Sequence, residues 1–139
     1  DDLQTRAFRD DPLVLILPRD HPLAGTEHLS FSDTLHHDYV GLNANSALAV
    51  YLEEQALHIG SRLKIRIRAD GFDGVMRMVA RGAGLAIVPL AAVERWPGKP
   101  PFQSIALHEP WAQRKLLLCA RDFAALPGYA KALLHVLTL

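Results

Sequence analysis

The chain has 139 residues, half of them hydrophobic and 22% charged, which suits one packed domain and rules out a disordered polymer. Its fifteen basic side chains are cancelled by fifteen acidic ones, so no overall positive field exists to hold a polyanion, and direct DNA contact by these residues is not expected. No apolar run approaches the roughly 20 residues of a membrane span, and Asp1-Asp2-Leu3-Gln4 carries neither the basic nor the apolar region of a signal peptide. The expected compartment is the cytosol, without a membrane partner.

In chain order, apolar runs alternate with segments of helical period, the pattern of an α/β fold. Residues 13–17 (Leu-Val-Leu-Ile-Leu) form an unbroken apolar run stopped by Pro18, which predicts a central strand covered on both faces. Pro22 and Gly25 mark a loop, and Ser30 or Ser32 is placed to cap a short helix. Tyr39-Val40-Gly41 reads as a strand that runs into Asn43-Ala44-Asn45-Ser46, residue types that favour a turn and a helix N-cap. The helix that follows has Leu48, Tyr51, Leu52, Ala56 and Ile59 at near-helical spacing, with Gly60 to end it. Lys64-Ile65-Arg66-Ile67-Arg68 alternates strictly, predicting a half-exposed strand with Leu63, Ile65 and Ile67 on one side and basic residues on the other.

A second turn cluster, Asp70-Gly71-Phe72-Asp73-Gly74, leads into a helix whose inward positions are Phe72, Val75, Met76 and Val79. Gly82 and Gly84 end it, Leu85–Val88 is a buried strand, and Pro89 opens a short helix reaching about Trp96. The loop Pro97-Gly98-Lys99-Pro100-Pro101 precedes two further strands, Phe102–Leu107 and Arg114–Ala120, and a last helix begins at Pro127. The single cysteine, Cys119, lies in an apolar run and is expected to be a small buried hydrophobe.

No pattern here demands catalysis. The seven histidines show no second ligand pair at metal-binding spacing, so neither a metal nor another cofactor is expected. Gly82-Ala83-Gly84 follows a helix and precedes a strand, the reverse of a phosphate-binding loop, and reads as a tight helix-to-strand turn. What remains is positional. The polar clusters 42–46 and 70–73 each follow a strand and precede a helix, where open α/β sheets bind ligands. Helix capping accounts for the same residue types, so both readings stand at this point.

Two segments carry a family likeness. Asp11-Pro12-Leu13-Val14-Leu15-Ile16-Leu17-Pro18-Arg19-Asp20-His21-Pro22-Leu23-Ala24 resembles the strand and "HPLA" turn of the LysR-type effector-binding domain. Val79-Ala80-Arg81-Gly82-Ala83-Gly84-Leu85-Ala86-Ile87-Val88-Pro89 is similar to that family's V-x-x-G-x-G-I-x-x-x-P signature, with Leu85 at the isoleucine position. The resemblance implies an α/β fold of the periplasmic-binding-protein type (type 2), with a mixed, mostly parallel sheet flanked by helices. It implies a fragment of the effector domain, with the second subdomain at about 18–101 and with 1–17 and 102–139 forming the crossover and part of the first subdomain. Effector contacts carried over from the family fall on Leu42, Asn43, Ala44, Asn45, Ser46, Gly71 and Phe72, with Pro89 at the cleft wall. Phe72 implies an apolar or aromatic portion of the effector, whereas the missing hydroxyl at Gly71 and the acids Asp70 and Asp73 argue against an anionic one.

The expected role is therefore sensing of a small-molecule effector, with self-association as dimer or tetramer. DNA would be reached only through an N-terminal winged helix-turn-helix outside these residues. A periplasmic-type solute-binding protein is the alternative, and a small α/β enzyme is a more remote one.

Overall fold

A computed structural model describes residues 4–120 together with 124, 128 and 130. The elements in chain order are β1 (Gln4–Asp10), β2 (Leu13–Pro18), β3 (His28–Leu29), α1 (Phe31–Thr34), β4 (Asp38–Leu42), α2 (Ala47–His58), β5 (Lys64–Ala69), α3 (Phe72–Ala80), β6 (Ala86–Pro89), α4 (Leu90–Glu94), β7 (Phe102–Leu107), a 3-10 turn (Pro110–Ala112) and β8 (Lys115–Ala120). The helix expected from Pro127, and the side chain of Cys119, lie outside what is described. Strands β1 and β3 and the 3-10 turn had no counterpart in the sequence reading.

Strand β2 sits inside a sheet of order β3-β7-β2-β6, antiparallel to both neighbours, with β3 parallel to β7. The parallel pair β4-β5 joins this sheet beside β6: the Val40 N–H donates to the Leu85 carbonyl at 2.8 Å, and the Leu85 N–H donates to Asp38 at 3.0 Å. The layer thus runs β3-β7-β2-β6-β4-β5, and β2 alone opposes the common direction, which is the mixed, mostly parallel sheet the resemblance implied. An antiparallel ladder of β1 and β8 leaves the sheet from Asp11 and Arg114. Strands β2 and β7 pair at the centre of the layer, so residues 13–18 and 102–107 share one sheet with the elements between them.

Every residue of β2 is buried, and its side chains divide by parity. Leu13, Leu15 and Leu17 face α1 and α2 with Phe31, Leu35, Leu52, Ala56, Ile105 and Leu107. Val14 and Ile16 face α3 and α4 with Val75, Met76, Val79, Ala92, Val93 and Phe102. A strand of period two with helices on both faces has no polar side to show, which is why it reads as an unbroken apolar run. Burying each such side chain fully is worth about 1.5–3 kcal/mol, so this strand anchors both halves of the core.

Strand β5 departs from strict alternation. Tyr39 pairs with Ile65 but Val40 pairs with Ile67, so Arg66 is an extra residue in a bulge and the faces exchange beyond it. Ile65 packs on the α2 side, Ala69 joins the α3 side, and Ile67 is left 41% exposed. Among the described residues β5 borders only β4; the bulge and the charges of Lys64, Arg66 and Arg68 are ordinary devices for blocking a free edge. On α2 the buried positions are Ala49, Leu52 and Ala56, while Tyr51 and Ile59 of the expected stripe are 36% and 52% exposed.

Candidate functional site

Strands β4, β5 and β6 are parallel, so their C-terminal ends share one edge of the sheet. The start of β2 lies there too, since Leu13 pairs with Pro89. Three strand-to-helix corners and the β1/β8 crossover therefore meet along this edge. The chain leaves β4 toward α2 on one face and leaves β5 and β6 toward α3 and α4 on the other, and this divergence opens a crevice at the strand ends.

The residues singled out in the sequence all fall on this edge, but they split between the faces. Leu42 is half-buried, pairs with Ala69, and its carbonyl accepts from Arg68 Nη1 at 2.8 Å. Asn43, Ala44 and Asn45 form an exposed turn closed by the Ser46 N–H donating to the Asn43 carbonyl at 2.9 Å. Ser46 caps α2, its hydroxyl accepting from the Ala49 N–H at 3.2 Å. Gly71 is the exposed N-cap of α3, with room for a side chain. Phe72 is half-buried against the α3-side core, and Pro89 is buried between β6 and α4. The corners 42–46 and 70–73 are thus neighbours that open onto opposite faces.

A hollow at this edge lies on the α2 side, a groove of about 360 Å³ lined by Leu13, Ala47, Leu48, Tyr51, Trp111 and Arg114. Neither Asn43 nor Phe72 lines it; Asn43 belongs to the turn directly preceding Ala47. The Trp111 ring stands edge-on to Phe31 (centroids 5.1 Å apart) and to Tyr51 (5.9 Å), which fixes its orientation. Arg114 is held at its inner end: Nε donates to the Asp11 carbonyl at 2.9 Å, and Nη2 faces the Asp11 carboxylate at 3.5 Å. Asp11 is itself buried; its other carboxylate oxygen accepts from the Ala91 N–H at 3.0 Å, and its own N–H donates to the Arg114 carbonyl. Arg114 also borders a second hollow of about 250 Å³ with Asp10, Pro12 and Gln113. Asp70 and Asp73 are exposed at the α3 corner and line neither hollow.

Sequence reasoning missed Tyr51, Trp111 and Arg114 as site residues. Tyr51 belongs to an apolar stripe whose spacing predicts core, and Trp111 and Arg114 come beside α2 only through the register of β7 on β2. An aromatic residue placed just before a strand that continues a crossover is the faint signal that was available. Among the described residues no three metal-ligating side chains come together. His37 instead packs edge-on against His21, ring centroids 4.8 Å apart, and His21 Nδ1 accepts from the Leu23 N–H at 3.1 Å. Burial, and secondarily His37, hold the His21 pKa below its ordinary value, against an opposing contribution from Asp20.

An α/β layer with divergent corners, a crossover and a groove at the strand ends has the geometry at which open α/β sheets bind ligands. Residues 1–138 match the family described as the LysR substrate binding domain, and the chain belongs to that family. A RuBisCO operon transcriptional regulator of Allochromatium vinosum is 29% identical over 93 residues, covering 67% of this chain and 31% of its own length. The HTH-type transcriptional regulator CysL of Bacillus subtilis is 27% identical over 94 residues, with 68% and 31% covered. The chain thus spans about a third of the length of the curated relatives it matches. Among solved structures, the Synechocystis PCC6803 CcmR regulatory domain in complex with 2-PG superposes with a TM-score of 0.82 at 18% identity, covering 99% of this chain and 66% of that one. The effector-binding domain of QuiR in complex with shikimate gives 0.73 at 18%, with 99% and 64% covered.

Proposed function

We propose that this chain is the part of a LysR-type transcriptional regulator that senses a small-molecule effector, with the strand-end edge of the sheet as one wall of the effector cleft. The observation that carries this reading is the open groove at the point where the crossover leaves the sheet. Residues 42–46 form the rim next to the α2-side groove, and Gly71, Phe72 and Pro89 border the α3 side. The described residues contain no helix long and apolar enough to cross a membrane. In the intact regulator, DNA is contacted by a separate N-terminal winged helix-turn-helix, and the protein associates as dimer or tetramer. Effector binding shifts the arrangement of these parts by no more than its preference for one arrangement over the other.

The test is a metabolite screen on the intact regulator by thermal shift, followed by titration of operator DNA with and without the hit. A hit that changes operator affinity, and that binds more weakly to Asn43→Ala, is the expected result. An intact regulator whose operator binding responds to no stabilising metabolite would contradict the sensing role, and unchanged effector affinity in both Asn43→Ala and Phe72→Ala would remove these corners from the site.

A further inference from the structure

Two histidines far apart in the chain meet at strand β3. Among the described residues β3 borders only β7, and the two run parallel with His28 opposite Ala106 and Leu29 opposite Leu107. The pairing continues one step further, where the His108 N–H donates to the Leu29 carbonyl at 3.0 Å. Side chains alternate along a strand, so Leu29 and Leu107 enter the core on the α1 and α2 side while His28, Ala106 and His108 share the other face. Ala106 adds only a methyl there, and the two imidazoles stand with ring centroids 5.3 Å apart and planes tilted by 33°. Both residues are exposed, and neither ring makes a hydrogen bond to the described residues.

That separation is the one a shared metal ion imposes. A zinc–nitrogen bond of about 2.1 Å puts each imidazole centroid about 3.2 Å from the ion, and a tetrahedral angle then sets the two centroids about 5.2 Å apart. We propose that His28 and His108 together bind a divalent late transition metal such as Zn²⁺, with water in the remaining positions. Imidazole suits such ions, whereas Mg²⁺ and Ca²⁺ take oxygen ligands. No third ligating side chain joins the pair among the described residues, so the affinity is below that of a closed structural site. The bound ion ties the two-residue strand β3 to β7 and stabilises the fold by mass action. The other ring pair cannot act in this way. His21 Nδ1 accepts the Leu23 N–H, so the neutral ring carries its proton on Nε2 and has no lone pair to give. His28 and His108 line neither hollow at the strand-end edge, so their test is independent of the sensing role.

The probe is ZnCl₂, titrated to about 1 mM into the intact protein, free of any affinity tag and stripped with EDTA, while calorimetry and melting temperature are followed. A melting temperature raised by about 3 °C or more is expected once Zn²⁺ stands at about ten times its Kd, and MgCl₂ at the same concentration is expected to have no effect. His28→Gln and His108→Gln, both at exposed positions and each confirmed as folded by its metal-free melting curve, are each expected to lose about tenfold or more in Zn²⁺ affinity. No Zn²⁺ binding up to that concentration, or binding unchanged in either variant, would overturn the assignment. An equal response to MgCl₂, or a site lost with His21→Gln or His36→Gln instead, would overturn it as well.

Discussion

Gly84 is the residue whose chemistry is most tightly constrained. Its φ is +156°, and a Cβ built there would stand 2.5 Å from the Asp38 carbonyl oxygen, the same atom that accepts the Leu85 N–H joining β4 to β6. Gly84→Ala is expected to cost about 3 kcal/mol or more, read as a lower denaturation midpoint at unchanged slope, because a backbone atom and not a flexible side chain must give way. Asp11 makes the other indispensable contact, joining the Ala91 N–H, the Arg114 side chain and the crossover backbone. Asp11→Ala leaves part-buried donors unpaired and should lose about 1–2 kcal/mol in chemical denaturation, with Asp11→Asn recovering part of it. His21 sets a pH dependence. Its pKa is lowered in the fold, so the unfolded chain takes up the proton first; the stability it supports is present above 6.5 and is lost as pH falls through the lowered value. Melting temperatures measured downward from neutral pH should therefore fall, and His21→Gln should flatten that slope.

At the scale of elements, α2 carries the largest share of the proposed site, and its first turn is set by one hydroxyl. Ser46→Ala removes the acceptor of the Ala49 N–H and should destabilise by about 1 kcal/mol, with Ser46→Asp restoring it. Elements of this kind were legible in the sequence because their signals are local. The turn at Gly82-Ala83-Gly84, the inward face of α3 and the span of β7 follow from φ requirements and from side-chain period, which a linear reading can see. The bulge at Arg66 was not legible, because strict alternation in 64–68 gives no hint that β4 supplies one residue fewer than β5. For the same reason Ile67 was expected inside and is found exposed. The split of the corners onto opposite faces was likewise hidden: the residue types at 42–46 and 70–73 mark helix starts but do not say on which side of the sheet each helix lies.

For the molecule as a whole, the edge where corners and crossover meet was readable as a place, and its lining was not. Leu13, Tyr51 and the segment holding Trp111 and Arg114 are far apart in the chain and come together only through a sheet order in which β2 and β7 lie between β3 and β6. The central claim is that this edge receives the effector. The measurement that tests it most directly is backbone amide hydrogen exchange of the intact regulator, with and without a metabolite that raises its melting temperature. The account predicts new protection concentrated in residues 42–51 and 111–114, with the β3 edge unchanged. Protection confined to β3, β5 or the solvent side of α3, with 42–51 and 111–114 exchanging as before, would contradict it.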